Sequence, residues 1–498
     1  MRPLLCRTAA LAAILALGAT ARADDFRCPD RGGPAWRELR TANILLQTDL
    51  SSGKAQDLAR ELDRIYDVVR IALFRRPPPT VAPMRVVAFQ SEEEFHLFAP
   101  KDATAYHMSG TRLGAVMLTP GLLADSQRIV AVHEITHHVT TPLFARQPRW
   151  FAEGLACYME SMAMTGVDNT PTVGGLPRHR YHTVFPYHGG AAKVLRSNDL
   201  LGDDATRSYA IAWALVHFLV NRQPQQFAEL QGRFLRGQDP EVAWREVFPQ
   251  WDPATEQGGK ALDKEIGGYL RAGKYSYRGV RLPEAAPIRE RPMSAAEAHT
   301  IRLSLPWVDR GEKAGPARLK AEIEEALAHD PGHVAALERM AEGQADGALA
   351  LAERATAAHP EDARAWLFLA RTTRDGERRI GALRKAVETD GASAEAANDL
   401  AWTLLQAGRS GEALPLARRA VATEPWNGGI IDTLAAVLED LGQCPEALAL
   451  QRRAVDVLPE GVSPAARAAL VERRSRLEAA CGRPQPATAP APAPAAAP

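Results

Sequence analysis

Apolar residues in this chain recur at two different spacings, and the change from one to the other divides it. From 36 to 125, short apolar runs alternate with helical patterns. Asn43 to Thr48 predicts a strand, and Ala55 to Leu73 predicts an amphipathic helix with Leu58, Leu62, Ile65, Val69 and Leu73 on one face. Pro77-Pro78-Pro79 ends that helix. Met84 to Phe89 predicts a buried strand, Ser91 to Phe95 a capped helix start, and Ala115 to Thr119 another strand. A helix follows from Ser126, or from Asp125 just before it, with apolar residues at 129, 132, 135 and 139, and Pro142 stops it. Pro148 opens a second helix, and Tyr209 to Leu219 predicts a strongly apolar third, in which His217 reads as core-lining.

The C-terminal part carries a longer period. Leu400, Gly408, Ala413, Ala420 and Pro425 recur as Leu434, Gly442, Ala447, Ala454 and Pro459, each thirty-four positions on, and Ala386 extends the register backwards. Pro331 and Pro360 mark looser copies. That is the tetratricopeptide period, a helix-turn-helix unit whose stacks offer a concave surface to peptides or protein partners. The resulting division is a signal peptide at 1–23, a first domain at 24–285, a Pro-, Arg- and Glu-rich linker at 286–315, repeats at 316–483, and a disordered Ala/Pro tail at 484–498.

The first twenty-three residues have a basic start at Arg2 and Arg7, a short apolar core from Leu11 to Ala19, and an Ala21-Arg22-Ala23 cleavage site. They predict export to the periplasm or beyond, with a cut after Ala23. No second apolar run is long enough to span a bilayer, so no membrane span is expected after cleavage. The 498 residues hold 60 Lys+Arg and 60 Asp+Glu, which leaves no electrostatic case for nucleic acid. Export permits disulfides. Cys444 begins one predicted helix and Cys481 ends the next. The two helices, about 21 and 27 Å long, run antiparallel, so these cysteines are expected to pair and stabilise the last repeat by roughly 3–4 kcal/mol. Cys28 and Cys157 have no comparable geometric argument.

His133-Glu134-Ile135-Thr136-His137 carries the chemistry. On a helix the two histidines lie one turn apart on one face and reach a single metal ion, zinc by their chemistry, while Glu134 stands beside the first ligand as a general base. A catalytic zinc wants a third protein ligand and an open position. Glu153, sixteen residues after His137 on the second helix, supplies one. Glu160 reads as a solvated carboxylate, with orientation of a ligand histidine as the alternative. Cys157 reads as a buried thiol. Tyr209 is a candidate to hydrogen-bond the oxyanion of hydrolysis, with a plain core position as the other reading. His179, Tyr181, His182, Tyr187 and His188 crowd a polar segment after the second helix that is expected to form a loop near a cleft.

H-E-I-T-H-H followed by P-R-W-F-A-E-G-L-A-x-Y resembles the gluzincin zinc metallopeptidases of the peptidase MA-like group. The resemblance covers roughly residues 36 to 275. It implies an α+β zincin-like domain, His133, His137 and Glu153 as zinc ligands, and Glu134 as the base. It also implies that the strand at 115–119 is an edge that pairs with extended substrate, with an ordinary interior strand as the other reading. E-G-L-A departs from the E-x-x-A-D of gluzincins like the periplasmic outer-membrane quality-control protease. Neither a metzincin third ligand nor a G-x-M-E-N aminopeptidase signature is present. The expected whole is an α+β zincin-like metallopeptidase domain followed by an all-α tetratricopeptide solenoid. Its function would be an exported zinc endopeptidase acting on peptide or protein substrates. The alternative is a non-proteolytic scaffold whose first domain only binds metal; an intact Glu134 argues against it.

Overall fold

Strands β1 (Arg37–Arg40) and β2 (Ile44–Thr48) form an antiparallel pair, and β2 places Ile44, Leu46 and Thr48 inward by strict alternation. Helix α1 (Ser52–Leu73) then crosses over to β3 (Met84–Ala88), which lies parallel to β2. Leu58, Leu62, Ile65 and Val69 of α1 are buried as its pattern predicts. All five residues of β3 are buried, as befits a central strand covered on both faces. After α2 (Glu92–Phe95), capped by Ser91, come β4 (Ala105–His107) and β5 (Ala115–Leu118). The computed structural model describes residues 28–74, 83–99, 105–107, 115–118, 125–144, 147–165, 170–197, 200, 204–305, 315–342, 347–458 and 462–481. The expected signal peptide (1–23) and Ala/Pro tail (484–498) lie outside them.

Further elements of this half are α3 (Asp125–Thr140), α4 (Arg149–Met159), β6 (Thr172–Val173), α5 (Arg178–Val184), α6 (Ala191–Arg196), α7 (Ala205–Arg222), α8 (Pro224–Leu235), α9 (Pro240–Val247), α10 (Glu256–Ala272) and β7 (Arg278–Gly279). β6 and β7 form a small ribbon of their own. The main sheet has the order β4-β5-β3-β2-β1-β8, where β8 spans Arg289–Pro292. Two expectations change here. The strand at 115–119 is not an edge: β5 is flanked by β3 and β4, and β4, antiparallel to it, takes the outer position on the side of α3. The segment 163–200 is not one loop, because α5 and α6 lie within it.

α4 and α7 are packed closely at the centre of the first core. Gly154 permits this. A Cβ there would sit 2.6 Å from Val216 Cγ2 and 2.7 Å from the Ala212 carbonyl oxygen. Alanine normally favours a helix by about 1 kcal/mol over glycine. Here overpacking against a backbone oxygen, which costs about 1–3 kcal/mol, outweighs that. Gly154→Ala is expected to lower the thermal unfolding midpoint by a few degrees, roughly; an equal or higher midpoint would mean the two helices part freely.

The expected linker at 286–315 contains two packed elements. β8 completes the sheet against β1, with Arg37–Glu290 at 2.9 Å and Arg291–Glu38 at 3.0 Å flanking the ladder. Helix α11 (Ala295–Ser304) starts with a Ser294/Glu297 capping box and lays Ala298 and Ile301 over Phe89, Phe95 and Phe98 on the second face of the sheet. Its Arg302 is buried and ion-pairs with Glu94 of α2 and, at 2.6 Å, with Glu322 of α12 (Gly315–His329). One helix therefore packs against both halves, so residues 289–304 are structured and not linker.

Helical hairpins follow: α13 (Val334–Ala341) with α14 (Ala348–Ala358), α15 (Ala363–Thr372) with α16 (Gly376–Thr389), α17 (Ala394–Gln406) with α18 (Ser410–Thr423), and α19 (Gly428–Asp440) with α20 (Cys444–Asp456). The thirty-four-residue offset is visible in the starts of α17 and α19 and of α18 and α20. Gly408 and Gly442 occupy the same turn at φ 71° and 73°, a left-handed conformation that explains glycine at both copies. The last helix, α21 (Pro464–Cys481), packs on α20, and Cys444–Cys481 is a disulfide with Cα atoms 5.5 Å apart, the pairing predicted from helix lengths.

Candidate metal centre

The helical repeat of α3 brings His133 and His137 together, with their Nε2 atoms 3.1 Å apart. α4 packs against α3 and inserts Glu153, whose Oε2 lies 3.3 Å from His133 Nε2 and 3.2 Å from His137 Nε2. Three donors around one zinc at bond lengths near 2.0–2.1 Å stand about 3.3 Å from one another. The three atoms here meet that spacing before any ion is added. Glu153 Oε2 is buried and makes no hydrogen bond, an oxygen directed only at the two imidazole nitrogens. The donor set and this orphaned oxygen fit zinc. Burial alone would raise the Glu153 carboxyl, but its contacts with His133 and His137 outweigh that and hold it well below the usual carboxylate range.

Glu160 is not a solvated carboxylate. Its side chain is 2 % exposed, and its Oε1 lies 2.8 Å from His133 Nδ1. Arg180 donates to both of its oxygens, Nε at 3.0 Å and the terminal nitrogen at 2.8 Å, and His179 Nε2 is 3.0 Å from Oε2. Burial pushes this carboxyl up, but His133, His179 and Arg180 together hold it well below the ordinary range. An ionised Glu160 on Nδ1 fixes the ring of His133 with Nε2 toward Glu153 and His137, an arrangement that orients metal-ligating histidines elsewhere. Arg180 is the site residue that sequence reasoning missed. The only signal was a short basic run after Pro177, in a stretch with no periodicity.

Glu134 stands among the charges of His133, His137 and Glu153; burial raises its carboxyl and the two histidines pull it back. The Tyr209 ring is stacked over His133 with centroids 6.3 Å apart, and the Arg180 guanidinium lies 5.5 Å from the centroid of the same tyrosine ring. Burial, reinforced by the charge of Glu153, pushes the Tyr209 phenol up to about 12, so it keeps its proton as a donor. Cys157 is a buried thiol, as expected, and burial pushes it up. Of the aromatic and histidine cluster, only His179 joins the centre. Tyr187 donates to Asp263 at 2.7 Å, Tyr181 stacks on Phe185, and His182 and His188 belong to no ligating group among the described residues.

His217 is core, as predicted, and fully buried. Its Nε2–H donates to the Gly174 carbonyl at 3.1 Å, and Tyr269 donates its hydroxyl to Nδ1 at 2.7 Å. Burial drives its pKa down to about 4. The unfolded imidazole protonates near 6.5, whereas the folded one resists until about 4. Between these values the unfolded state binds the extra proton. The stability contribution is therefore intact above about pH 6.5 and is lost as pH falls, by about 2–3 kcal/mol near pH 4.5. Denaturant unfolding should show the parent losing more stability over that interval than His217→Gln, and parallel pH profiles would contradict it.

Residues 129–237, from α3 through α8, match the family DUF1570, described as a protein of unknown function. Residues 393–423 and 429–458 match the tetratricopeptide repeat. No curated protein matches the chain. Among solved structures, it is similar to TTC0263, a thermophilic TPR protein in Thermus thermophilus, with 18% identity over 36% of this chain and 98% of that one and a TM-score of 0.28. YrrB, a TPR protein with an unusual peptide-binding site, shows 18% identity over 36% and 99% with a TM-score of 0.27. MamA shows 17% over 32% and 92% with a TM-score of 0.26. By the repeat match and the succession of hairpins, the C-terminal region is an array of tetratricopeptide repeats.

Proposed function

We propose that the chain is an exported zinc endopeptidase of gluzincin type, with a zincin-like catalytic domain and a repeat array that binds substrate or a protein partner. The observation that carries this reading is the convergence of His133, His137 and Glu153, with Glu134, next to His133 in the chain, within reach of the charges of all three. A zinc ion held by those three residues supplies Lewis acidity toward a carbonyl and makes water acidic enough to attack near neutral pH. Glu134 takes the proton of the attacking water and delivers it to the leaving amine. Tyr209, held protonated over His133, donates to the developing oxyanion. β4, the outer strand of the sheet beside α3, offers backbone groups to an extended peptide, which accepts many sequences.

A second reading is a non-proteolytic tetratricopeptide scaffold whose first domain binds metal without cleaving. It is favoured by the repeat match, which ties this chain to protein binding and not to hydrolysis. The balance of 60 basic and 60 acidic residues suits protein partners better than nucleic acid. Among the described residues no helix is long and apolar enough to cross a membrane. Cleavage of casein by the full chain, with chelator and with zinc restored, separates the two readings. The endopeptidase cleaves, stops with chelator and resumes with zinc. Zinc content that is lost in His137→Ala, without any cleavage by the parent, establishes the scaffold.

A further inference from the structure

We propose that Cys28, His299 and His329 form a second zinc site, which clasps the turn at Cys28–Arg31 to the helix pair from which the repeats grow. The three residues come from three separate elements: the turn at Pro29–Arg31, α11 and α12. One ligating atom from each lies within 4.8 Å of the other two, and Cys28 Sγ is 3.3 Å from His329 Nε2. The imidazole rings of His299 and His329 are stacked with centroids 6.0 Å apart at 15°.

The outer nitrogens are already taken by carboxylates. His299 Nδ1 meets Glu322 Oε2 at 2.6 Å, and the other oxygen of Glu322 accepts from Arg302 at 2.6 Å. His329 Nδ1 meets Asp30 Oδ2 at 3.1 Å. Each ring is thus held by a carboxylate on one side and presents Nε2 on the other, the outer arrangement that orients histidine ligands and raises their basicity. A thiolate with two imidazoles suits zinc, a borderline-soft ion. Binding releases the thiol proton to solvent. Cys28 is buried and free, and Cys444 and Cys481 are already paired. The His329 side chain is a quarter exposed at the end of α12, which gives the ion an entrance and water a fourth position.

The location makes the site a clasp. Arg31 pairs with Glu325 of α12 at 2.6 Å beside it, and Arg302 of α11 reaches Glu94 of the sheet half. No residue of this cluster belongs to the His133/His137/Glu153 group, so the proposal does not depend on the peptidase reading.

Cobalt(II) is the probe, because a thiolate ligand gives it an intense near-ultraviolet charge-transfer band that the thiolate-free His133/His137/Glu153 centre does not produce. The full chain, reduced under conditions that leave the disulfide intact, should show the band. Cys28→Ser should abolish it, Cys157→Ser should leave it, and added zinc should displace it. His329→Ala, a change at an exposed helix end that leaves the fold in place, should weaken cobalt binding by more than about tenfold. A folded parent with no band, a band that survives Cys28→Ser, a band that disappears in Cys157→Ser, a band that zinc does not displace, or parent-like cobalt affinity in His329→Ala would each overturn the proposal.

Discussion

Glu134→Gln is expected to hold zinc like the parent and to cleave casein at least about a hundredfold more slowly. Glutamine has nearly the shape of glutamate, so the packing of α3 against its neighbours survives. What it loses is the ability to accept a proton from water and return it to an amine. A hundredfold corresponds to about 2.7 kcal/mol of transition-state stabilisation. His133, His137 and Glu153 form the ligand cluster without Glu134, so zinc content should not follow activity. His137→Ala should lose both. A variant Glu134→Gln as active as the parent would assign the base to another group.

The grouping of His133, His137 and Glu153 is legible in the sequence because it is local. Two histidines one helical turn apart need only α3, and Glu153 needs only a short return through α4. The repeats were legible for a similar reason: Gly408 and Gly442 mark the same left-handed turn, and small residues at a fixed offset mark the same helix contacts. The disulfide followed from two helix lengths and a short connection.

What stayed hidden depends on distant partners. β8 reads Arg-Glu-Arg-Pro and is exposed throughout, since it is bonded to β1 by its backbone while its side chains pair outward. An edge strand of that kind has no apolar alternation to detect. α11 reads as linker because its charged Arg302 is buried, and the carboxylates of Glu94 and Glu322 that help make that burial tolerable lie on other elements, 208 and 20 residues away. Glu160 was misread for the same reason. Its partners Arg180 and His179 lie on α5, in a stretch whose composition predicts a loop.

Loss of Glu153 should weaken zinc at this centre more than loss of Glu160, and both effects should be large. In the proposed zinc site Glu153 would supply a donor atom, so Glu153→Ala is expected to cost more than about a hundredfold in zinc affinity, above the 10–100-fold usual for groups that only orient ligands. Glu160→Ala should fall inside that range, because His133 keeps its Nε2 but loses the carboxylate that fixes its ring. It should also cost stability without metal. Arg180, 17 % exposed, would face a site with no counter-charge, and breaking such a pair costs about 3–5 kcal/mol. Partial exposure of Arg180 and the 48 % exposure of His179 place the loss at the low end of that range. Glu160→Gln keeps an oxygen for His133 and should recover part of the zinc affinity while leaving Arg180 unneutralised. Competition with a chelator, counted against His137→Ala, measures the affinity, and denaturant unfolding of the metal-free protein measures the stability. Parent-like zinc retention in Glu153→Ala would move the third ligand elsewhere, with His179, His182 and His188 the next residues to substitute. Parent-like behaviour of Glu160→Ala in both assays would return it to the role of a bystander.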